Sequence, residues 1–187
     1  MGSFEYYQTS FSYLDQEDHQ ERFVGVPEEG GRNLISTDPL APGSVYTASV
    51  DNQGKVGLYR LEVGVAPGTG KLKMAGVSDP TMKESIQRAF AYLQGHKVAL
   101  GIAQTFDTTD FHVEAVDLLV NHIPCEAGVA LVIAIYSALK KHPVQASLLI
   151  LGDLSIQGNI KPMRSLAEPL QMAMDIGARK TLIPIEN

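Results

Sequence analysis

The sequence predicts an α+β domain, a two-layer sandwich in which helices pack on one mixed β-sheet. Three observations support this fold class. Segments that alternate apolar and polar residues fill the first half after residue 43, and apolar residues at helical spacing appear from residue 79. The second half then follows the order β-α-β-α-β. We therefore expect an antiparallel N-terminal half and a C-terminal half of alternating strands and helices.

Composition narrows the class of protein. The 187 residues are 44% apolar and 19% charged, which suits a single self-sufficient core. The single cysteine, Cys125, excludes an internal disulfide, and no cleavable apolar segment opens the chain, so we expect a cytoplasmic protein. The longest apolar stretch, 127–139, has about 13 residues where a membrane helix needs about 20. We therefore expect no membrane span, and the net charge of −6 disfavours direct nucleic-acid binding.

Residues 1–40 differ in composition from the rest of the chain. They are rich in Gly, Ser, Tyr and acidic residues, which predicts an N-terminal arm or extension with strands near Glu5–Tyr13 and Arg22–Val26. The folded domain is expected to span 41–187.

The first half of that domain reads as an antiparallel meander. Ser44–Val50 and Lys55–Val63 alternate on both sides of a turn at 51–54, as in a β-hairpin. A second turn, Pro67–Gly70, leads to a strand over Lys71–Ala75. This turn is not a phosphate-binding loop, because Val65 stands in place of the first glycine and Leu72 in place of the Ser or Thr that would meet magnesium.

The remaining elements follow in order. A helix is predicted from Asp79, with Thr81 and Glu84 spaced as a capping box and Gly95 at its end. The residues from Glu126 to Lys141 are apolar nearly all round, which predicts a helix buried between layers. The other predicted elements are strands over Val98–Ile102, His112–Val116, Ser147–Leu151 and Thr181–Pro184 and a helix over Ser165–Gly177.

An ordered series of short segments resembles the proteolytic domain of Lon proteases over residues 60–187. The segments are Gly68–Leu72, Met82–Gln87, His112–Val113, Ala127–Ala130, Pro143–Val144, Gly158–Pro162 and Gly177–Pro184. Four others look closer to the Lon-like BrxL family of BREX phage-defence systems: Pro42–Tyr46, Gly57–Arg60, Val116–Leu118 and Leu166–Gln171.

The resemblance implies an assembly. In the BREX family a AAA+ ATPase lies N-terminal to the Lon-like domain, and Lon domains form hexameric rings. It therefore implies self-association into a ring, a AAA+ partner in the same polypeptide, and DNA contact only through the full-length assembly. ATP and magnesium are expected only in that absent AAA+ part, since this chain has no nucleotide-binding motif and we expect no cofactor or metal in it. Lon domains also continue past Pro184, which implies a C-terminal truncation.

Lon chemistry uses a serine nucleophile and a lysine general base, and this chain has neither at the matching positions. The serine position of the family falls on Glu126, and the lysine position falls on Pro169. A carboxylate is a poor nucleophile toward a peptide bond, and proline has no side-chain proton acceptor. The resemblance therefore implies a Lon-like domain without the Lon dyad.

Other residues could restore chemistry. Cys125 adjoins the serine position at a helix start, where a thiolate is favoured, and Lys161 could replace the base. The less specific alternatives are a Cys–His arrangement of Cys125 with His112, His122 and Asp117, a carboxylate pair or metal site of Glu126 and Glu168, and a serine nucleophile at Ser155 or Ser165. Against these, Cys125 fits an inert buried thiol, Lys161 an exposed strand lysine, and Glu168 the capping partner of Ser165.

Three functions follow from these residues. The leading one is a proteolytically inactive Lon-like domain that assembles the ring of an ATP-dependent phage-defence protein. The alternative is an active Lon-type peptidase with a displaced nucleophile. A third function, nucleic-acid contact, requires Lys161, Arg164, Arg179 and Lys180 to gather on one face.

Overall fold

The computed structural model describes residues 9–10 and 33–185, with side chains from residue 33 onward. Within that part the chain forms nine strands and four helices. The strands are β1 Thr9–Ser10, β2 Ser44–Val50, β3 Val56–Pro67, β4 Leu72–Ala75, β5 Thr109–Asp117, β6 Leu148–Ile150, β7 Asp153–Leu154, β8 Ile160–Lys161 and β9 Lys180–Leu182. The helices are α1 Pro80–His96, α2 Ala103–Asp107, α3 Gly128–Lys140 and α4 Ala167–Asp175.

Seven of the strands form one mixed sheet in the order β1-β9-β6-β2-β3-β5-β4. The pairs β2–β3 and β3–β5 are antiparallel, whereas β2–β6, β6–β9 and β4–β5 are parallel. Strands β7 and β8 make a separate antiparallel hairpin. The predicted α+β class with a mixed sheet is thereby confirmed.

Apolar side chains cover both faces of this sheet because strand residues alternate between faces. Val45 and Leu61 belong to a larger core beneath α1 and α3. Tyr46 and Leu149 belong to a second core with residues of α4 and with Ile35. The sheet with α1 and α3 is thus the main sandwich, and α4 packs on the opposite face.

Helix α1 begins at a different cap from the one the sequence indicates. Asp79 is the N-cap, and its carboxylate accepts hydrogen bonds from the backbone N–H groups of Thr81 and Met82. The predicted Thr81–Glu84 capping box is therefore wrong, because Asp79 is the N-cap and Thr81 lies within the first turn, where its own N–H already donates to Asp79. The helix continues past Gly95 to His96.

The predicted meander is also wrong in its third strand. Strand β4 pairs in parallel with β5 and lies at the sheet edge, so β5 separates it from β3. The carboxylate of Asp110, on β5, accepts the N–H groups of Thr69 and Lys71 and so fixes the turn before β4. The pairing of β4 with β5 thus depends on contacts between residues far apart in sequence, which the alternating pattern of a hairpin does not predict.

The segment after α1 is a turn and not the predicted strand over Val98–Ile102. Hydrogen bonds from Gly101 N to Val98 O and from Ile102 N to Lys97 O close it. Val98 is 78% exposed whereas Ile102 is 3% exposed, so residues 98–102 do not form the buried strand that their apolar composition predicts. Helix α2 then follows directly, which the sequence reading missed.

Helix α3 is shorter and less enclosed than predicted. It begins at Gly128, two residues after Glu126, and ends where Lys141 adopts a left-handed conformation at φ 56°. Its inner side packs against α1 and the sheet, but Tyr136 is 41% exposed. The helix is therefore open on one side. No helix of the described residues is long and apolar enough to cross a membrane.

Residues just before the predicted boundary at residue 40 pack against the folded domain that follows it. Ile35 is fully buried and donates its N–H to the carbonyl of Ile176. The strand predicted near Glu5–Tyr13 is described at Thr9–Ser10 alone, and the one near Arg22–Val26 lies outside the described residues.

Residues 33–185 carry thirteen Lys and Arg and thirteen Asp and Glu, so the acidic excess of the chain lies outside that range.

Candidate functional site

Five parts of the chain meet at a cleft of about 220 Å³: the end of β2, the start of α1, the loop before α3, the start of the β7–β8 hairpin and the segment after it. Its lining residues are Ser49, Val50, Thr81, Pro124, Glu126, Gly152, Asp153, Pro162, Met163 and Arg164. The cleft therefore includes Glu126, which the resemblance places at the serine position.

Asp153 is the central charge of this site. Its side chain is 1% exposed and accepts hydrogen bonds from Ser85 Oγ at 2.7 Å, Arg88 Nη2 at 2.5 Å and Lys161 Nζ at 2.8 Å. Burial by itself raises the pKa of Asp153, but the hydrogen bonds from Lys161, Ser85 and Arg88 outweigh it and hold the pKa below its usual value. Asp153 is therefore a buried, ionised and fully paired carboxylate.

Two small residues allow the helices to approach this carboxylate. Ser85 Oγ donates to Asp153 and accepts the N–H of Ala127 at 3.0 Å, which ties α1 to the start of α3. At Gly128 an added Cβ would lie 2.3 Å from Asp153 Oδ1, so only glycine fits there.

Glu126 lies at the outer side of the same cluster. Its side chain is 51% exposed, and Oε1 is 3.9 Å from both Arg88 Nη2 and Lys161 Nζ. These separations exceed hydrogen-bond length, so Glu126 is held by charge attraction only. The four side chains of Arg88, Lys161, Asp153 and Glu126 balance one another in charge.

Lys161 is not an isolated exposed lysine. Its ammonium donates to Asp153, and its side chain is 39% exposed. A lysine general base must direct its amine at the nucleophile, whereas the Lys161 Nζ is directed at the Asp153 carboxylate. The geometry therefore opposes Lys161 as a replacement base.

Pro169 is a buried residue at the third position of α4. The first turn of a helix leaves N–H groups without intrahelical partners, so proline fits there without breaking a hydrogen bond. Ser165 Oγ hydrogen-bonds Glu168, which lowers the pKa of that carboxyl. The predicted capping role of Ser165 is nevertheless wrong, because the helix begins at Ala167 with Leu166 as its N-cap and no side chain caps it; the Ser165–Glu168 contact joins two side chains only.

Cys125 is fully buried, and desolvation raises the pKa of its thiol to about 12. Its backbone N–H donates to Asp79 Oδ2 at 3.2 Å, which fixes the loop against the start of α1. Because the thiolate is the reactive form, this environment disfavours Cys125 as a nucleophile.

The proposed partners of Cys125 have other contacts. The Asp117 carboxylate accepts backbone N–H groups from Leu119, Val120, Asn121 and His122 and so shapes the loop before α3. The His122 ring is exposed, with Nδ1 3.7 Å from Asp117, and His112 is exposed on β5. No group of three or more His, Cys, Asp or Glu among the described residues is placed to hold a metal.

The candidate serines and basic residues are dispersed. Ser155 Oγ accepts the N–H of Asn159 within the β7–β8 turn. Lys161 and Arg164 belong to the cleft, whereas Arg179 and Lys180 lie at the start of β9, next to Ser147. The contacts of these four residues thus differ: Lys161 pairs with Asp153, Arg164 lines the cleft, and Arg179 and Lys180 bond the carbonyl of Ser147.

Sequence reasoning missed Ser85, Arg88 and Asp153. Ser85 and Arg88 are three residues apart on α1, a spacing that places them on one helix face. Asp153 follows a strongly apolar strand, where a charged residue is unusual unless paired. These signals single out Ser85, Arg88 and Asp153 separately, but they do not show that Ser85 and Arg88 both donate to Asp153.

Comparison with known proteins identifies the family. Residues 40–187 match the Lon protease (S16) C-terminal proteolytic domain, and the chain belongs to that family. It is similar to the Lon-like protease BrxL of Escherichia coli O9:H4 (strain HS), at 35% identity over all of this chain, and to that of Bacillus cereus (strain H3081.97), at 36% over 99% of it. It is also 32% identical to a Lon protease of Bacillus thuringiensis (strain Al Hakam) over 79% of the chain.

These relatives are much longer proteins. The chain spans 27% and 28% of the two BrxL proteins and 18% of that Lon protease. It is therefore a Lon-like protease domain of a kind found within multidomain proteins.

Proposed function

We propose that this chain is a proteolytically inactive Lon-type domain that acts as the ring-assembly module of a cytoplasmic AAA+ phage-defence protein. The proposal is supported by the resemblance to Lon proteases, which places Glu126 at the serine position and Pro169 at the lysine position, so that neither member of the dyad would be present. Lys161, whose Nζ is 3.9 Å from Glu126 Oε1, donates instead to Asp153. The site therefore has a stable charge cluster in place of a nucleophile and base.

The partners of this domain belong to the same proposal. The chain spans about a quarter of the BrxL relatives, which leaves ample length for a AAA+ ATPase in the same polypeptide. ATP and magnesium would bind that ATPase, and DNA would contact the full-length assembly. The Lon-like domains would associate with one another in a hexameric ring.

Hydrolysis of an unfolded protein by the full-length protein, with ATP and magnesium, tests the loss of proteolysis. We expect no cleavage above background for the wild type or for Cys125→Ala, Ser155→Ala and Ser165→Ala. A Lon protease serves as the positive control. Wild-type cleavage that one of these substitutions abolishes would contradict the proposal and identify the displaced nucleophile of an active peptidase.

Sedimentation of the full-length protein tests the assembly role separately. We expect a ring-sized particle for the wild type and smaller particles when this domain is deleted. Particles of unchanged size after deletion would show that the ring forms without this domain, whatever the protease assay gives.

A further inference from the structure

An apolar groove lies on the outer side of α3 and shares no lining residue with the cleft at Asp153. It has a volume of about 530 Å³, and its apolar lining is formed by Leu100, Val132, Ile133, Tyr136, Pro143 and Val144. The Tyr136 side chain is 41% exposed there. An exposed aromatic residue in an apolar groove is typical of a surface that contacts another protein. We refer to it as the α3 groove.

The rim of the α3 groove is basic. Lys140, Lys141 and His142 follow one another at the end of α3, and Lys140 Nζ lies 5.5 Å from the centre of the Tyr136 ring. Within residues 33–185, neither Lys140 nor Lys141 forms an ion pair. The rim therefore carries uncompensated positive charge, and a fitting occupant of the groove combines apolar side chains with carboxylates.

The exposed side of α4 has that composition. Five of its residues recur at helical spacing and so share one side of the helix: Ala167, Glu168, Gln171, Met174 and Asp175. The other side of α4 buries Pro169 and Ala173. The helix has two acidic residues and no basic one. We refer to the five-residue surface as the α4 outer face.

Met174 is the large apolar residue of the α4 outer face. It is partly exposed, and among the described residues it packs with neither core. Methionine is flexible and recurs at binding surfaces. Glu168 and Asp175 pair with no cation in the part of the chain that the structure describes. Their hydrogen-bond donors are the uncharged side chains of Ser165 and Gln171. The face therefore offers an apolar side chain next to two uncompensated carboxylates.

The two surfaces lie on opposite sides of the sheet. Helix α3 packs on the core that includes Leu61, whereas α4 packs on the core that includes Leu149. One chain therefore cannot place α4 in its own α3 groove, but it can present both surfaces at once to two neighbours. A contact between two different surfaces repeats from copy to copy and closes into a ring when the rotation between copies allows it.

We propose that the α4 outer face of one copy docks in the α3 groove of the next copy. In this contact Met174 lies on the apolar lining beside Tyr136, and the two carboxylates of α4 meet Lys140 and Lys141. Burial of the apolar side chains supplies most of the attraction, and the charges select the orientation. The inference rests on the ring-assembly role proposed above and names the two surfaces that build the ring.

Disulfide cross-linking of the full-length protein tests the contact directly. With Tyr136→Cys and Met174→Cys together, mild oxidation should give a ladder of covalent oligomers on a non-reducing gel. Because the two positions lie on opposite sides of the sheet, this bond forms only between copies. Neither single variant should give a ladder. Tyr136→Cys with Ile156→Cys is the matched control, since Ile156 is 62% exposed in the β7–β8 turn, and it should give none either.

Charge reversal tests the pairing at the rim. In sedimentation of the full-length protein at low salt, Lys140→Glu with Lys141→Glu should abolish the ring-sized particle, and so should Glu168→Lys with Asp175→Lys. All four substitutions together should restore the particle, because opposite charges face each other again.

A matched control and a folding check accompany these variants. Lys71→Glu with Lys73→Glu reverses two exposed lysines at β4 and should leave the particle unchanged. Circular dichroism checks that each variant remains folded.

The outcomes separate this contact from the ring-assembly role. No ladder from the Tyr136→Cys, Met174→Cys pair, in a protein whose ring still requires this domain, would overturn the contact and leave the role standing. A ladder in a protein whose particles keep their size after deletion of the domain would support the contact and overturn the role. Covalent dimers from Tyr136→Cys alone would mean that one groove faces another groove, which would also overturn the proposal. Failure of the four substitutions to restore the particle would overturn the charge pairing.

Discussion

Asp153 determines how the charges of the cleft are arranged. It is the most buried of the four charged residues there, and Arg88 and Lys161 both donate to it. Removing one partner of a buried ion pair leaves an uncompensated charge, which is more damaging than the loss of an exposed pair. The cluster therefore contributes to stability beside Glu126, the residue that the resemblance to Lon proteases places at the serine position.

We expect Asp153→Asn to lower the free energy of unfolding by about 3 kcal/mol, because two cations lose their common carboxylate. Urea denaturation measures the change. Glu62→Gln is the matched control, since the Arg60–Glu62 pair is about one-third exposed on both sides and its loss should cost less than about 1 kcal/mol. Equal effects of the two substitutions would contradict the assigned role.

The stability difference between wild type and Asp153→Asn should depend on pH. The folded-state pKa of Asp153 lies below the ordinary value of 3.8, so its contribution is complete above that value and is lost as pH falls through the lower folded-state value. The stability difference between wild type and Asp153→Asn should therefore shrink as pH falls below about 4. A difference that stays constant from pH 7 to pH 3 would show that the carboxylate charge does not carry the effect.

Cys125 should be inert in the folded protein. Its thiol is fully buried and has a pKa near 12, so little reactive thiolate forms and no reagent reaches it. A coloured disulfide reagent at pH 8 should label wild type only in urea, whereas Cys125→Ala with Ile156→Cys should be labelled at once. Rapid labelling of native wild type would restore Cys125 as a candidate nucleophile.

At the scale of elements, the contact between α3 and the β7–β8 hairpin depends on a missing side chain. A Cβ at Gly128 would lie 2.3 Å from Asp153 Oδ1 and 2.7 Å from Leu154 Cδ2. Gly95, near the end of α1, has nothing within 4 Å of the same added atom. Identical substitutions at these two glycines therefore separate packing from helix propensity.

We expect Gly128→Ala to destabilise the fold by about 1–3 kcal/mol through overpacking. Gly95→Ala should instead stabilise it by up to about 1 kcal/mol, because alanine has the higher helix propensity. Thermal or urea unfolding of the two single variants measures both effects. A stable Gly128→Ala protein would mean that α3 can move away from Asp153 without loss.

The elements that the sequence predicts well are those with a local signal. The hairpin of β2 and β3 and the helices α1 and α3 follow from periodicity and end signals within a few residues of where the structure has them. Turn signals predict β4 beside β3 because they carry no information about the later strand β5. The Asp153 cluster has no local signal for the same reason, since Ser85 and Arg88 of α1 are 68 and 65 residues from Asp153.

At the scale of the whole molecule, the sheet joins two apolar cores. Leu61 is fully buried in the core under α1 and α3, and Leu149 is fully buried in the core under α4. Strand β2 contributes Val45 to the first core and Tyr46 to the second. Neither core can lose its packing without disturbing a strand that the other one needs.

We therefore expect Leu61→Ala and Leu149→Ala each to lower the midpoint of one common unfolding transition, at a cost of about 2–5 kcal/mol. Tyrosine emission and far-ultraviolet circular dichroism should give coincident curves in both variants. If Leu149→Ala instead speeds hydrogen exchange only in α4 and β9 while the rest stays protected, the second core is a separate unit. In that case α4, which carries Pro169, could open without unfolding the charge cluster between α1 and the β7–β8 hairpin.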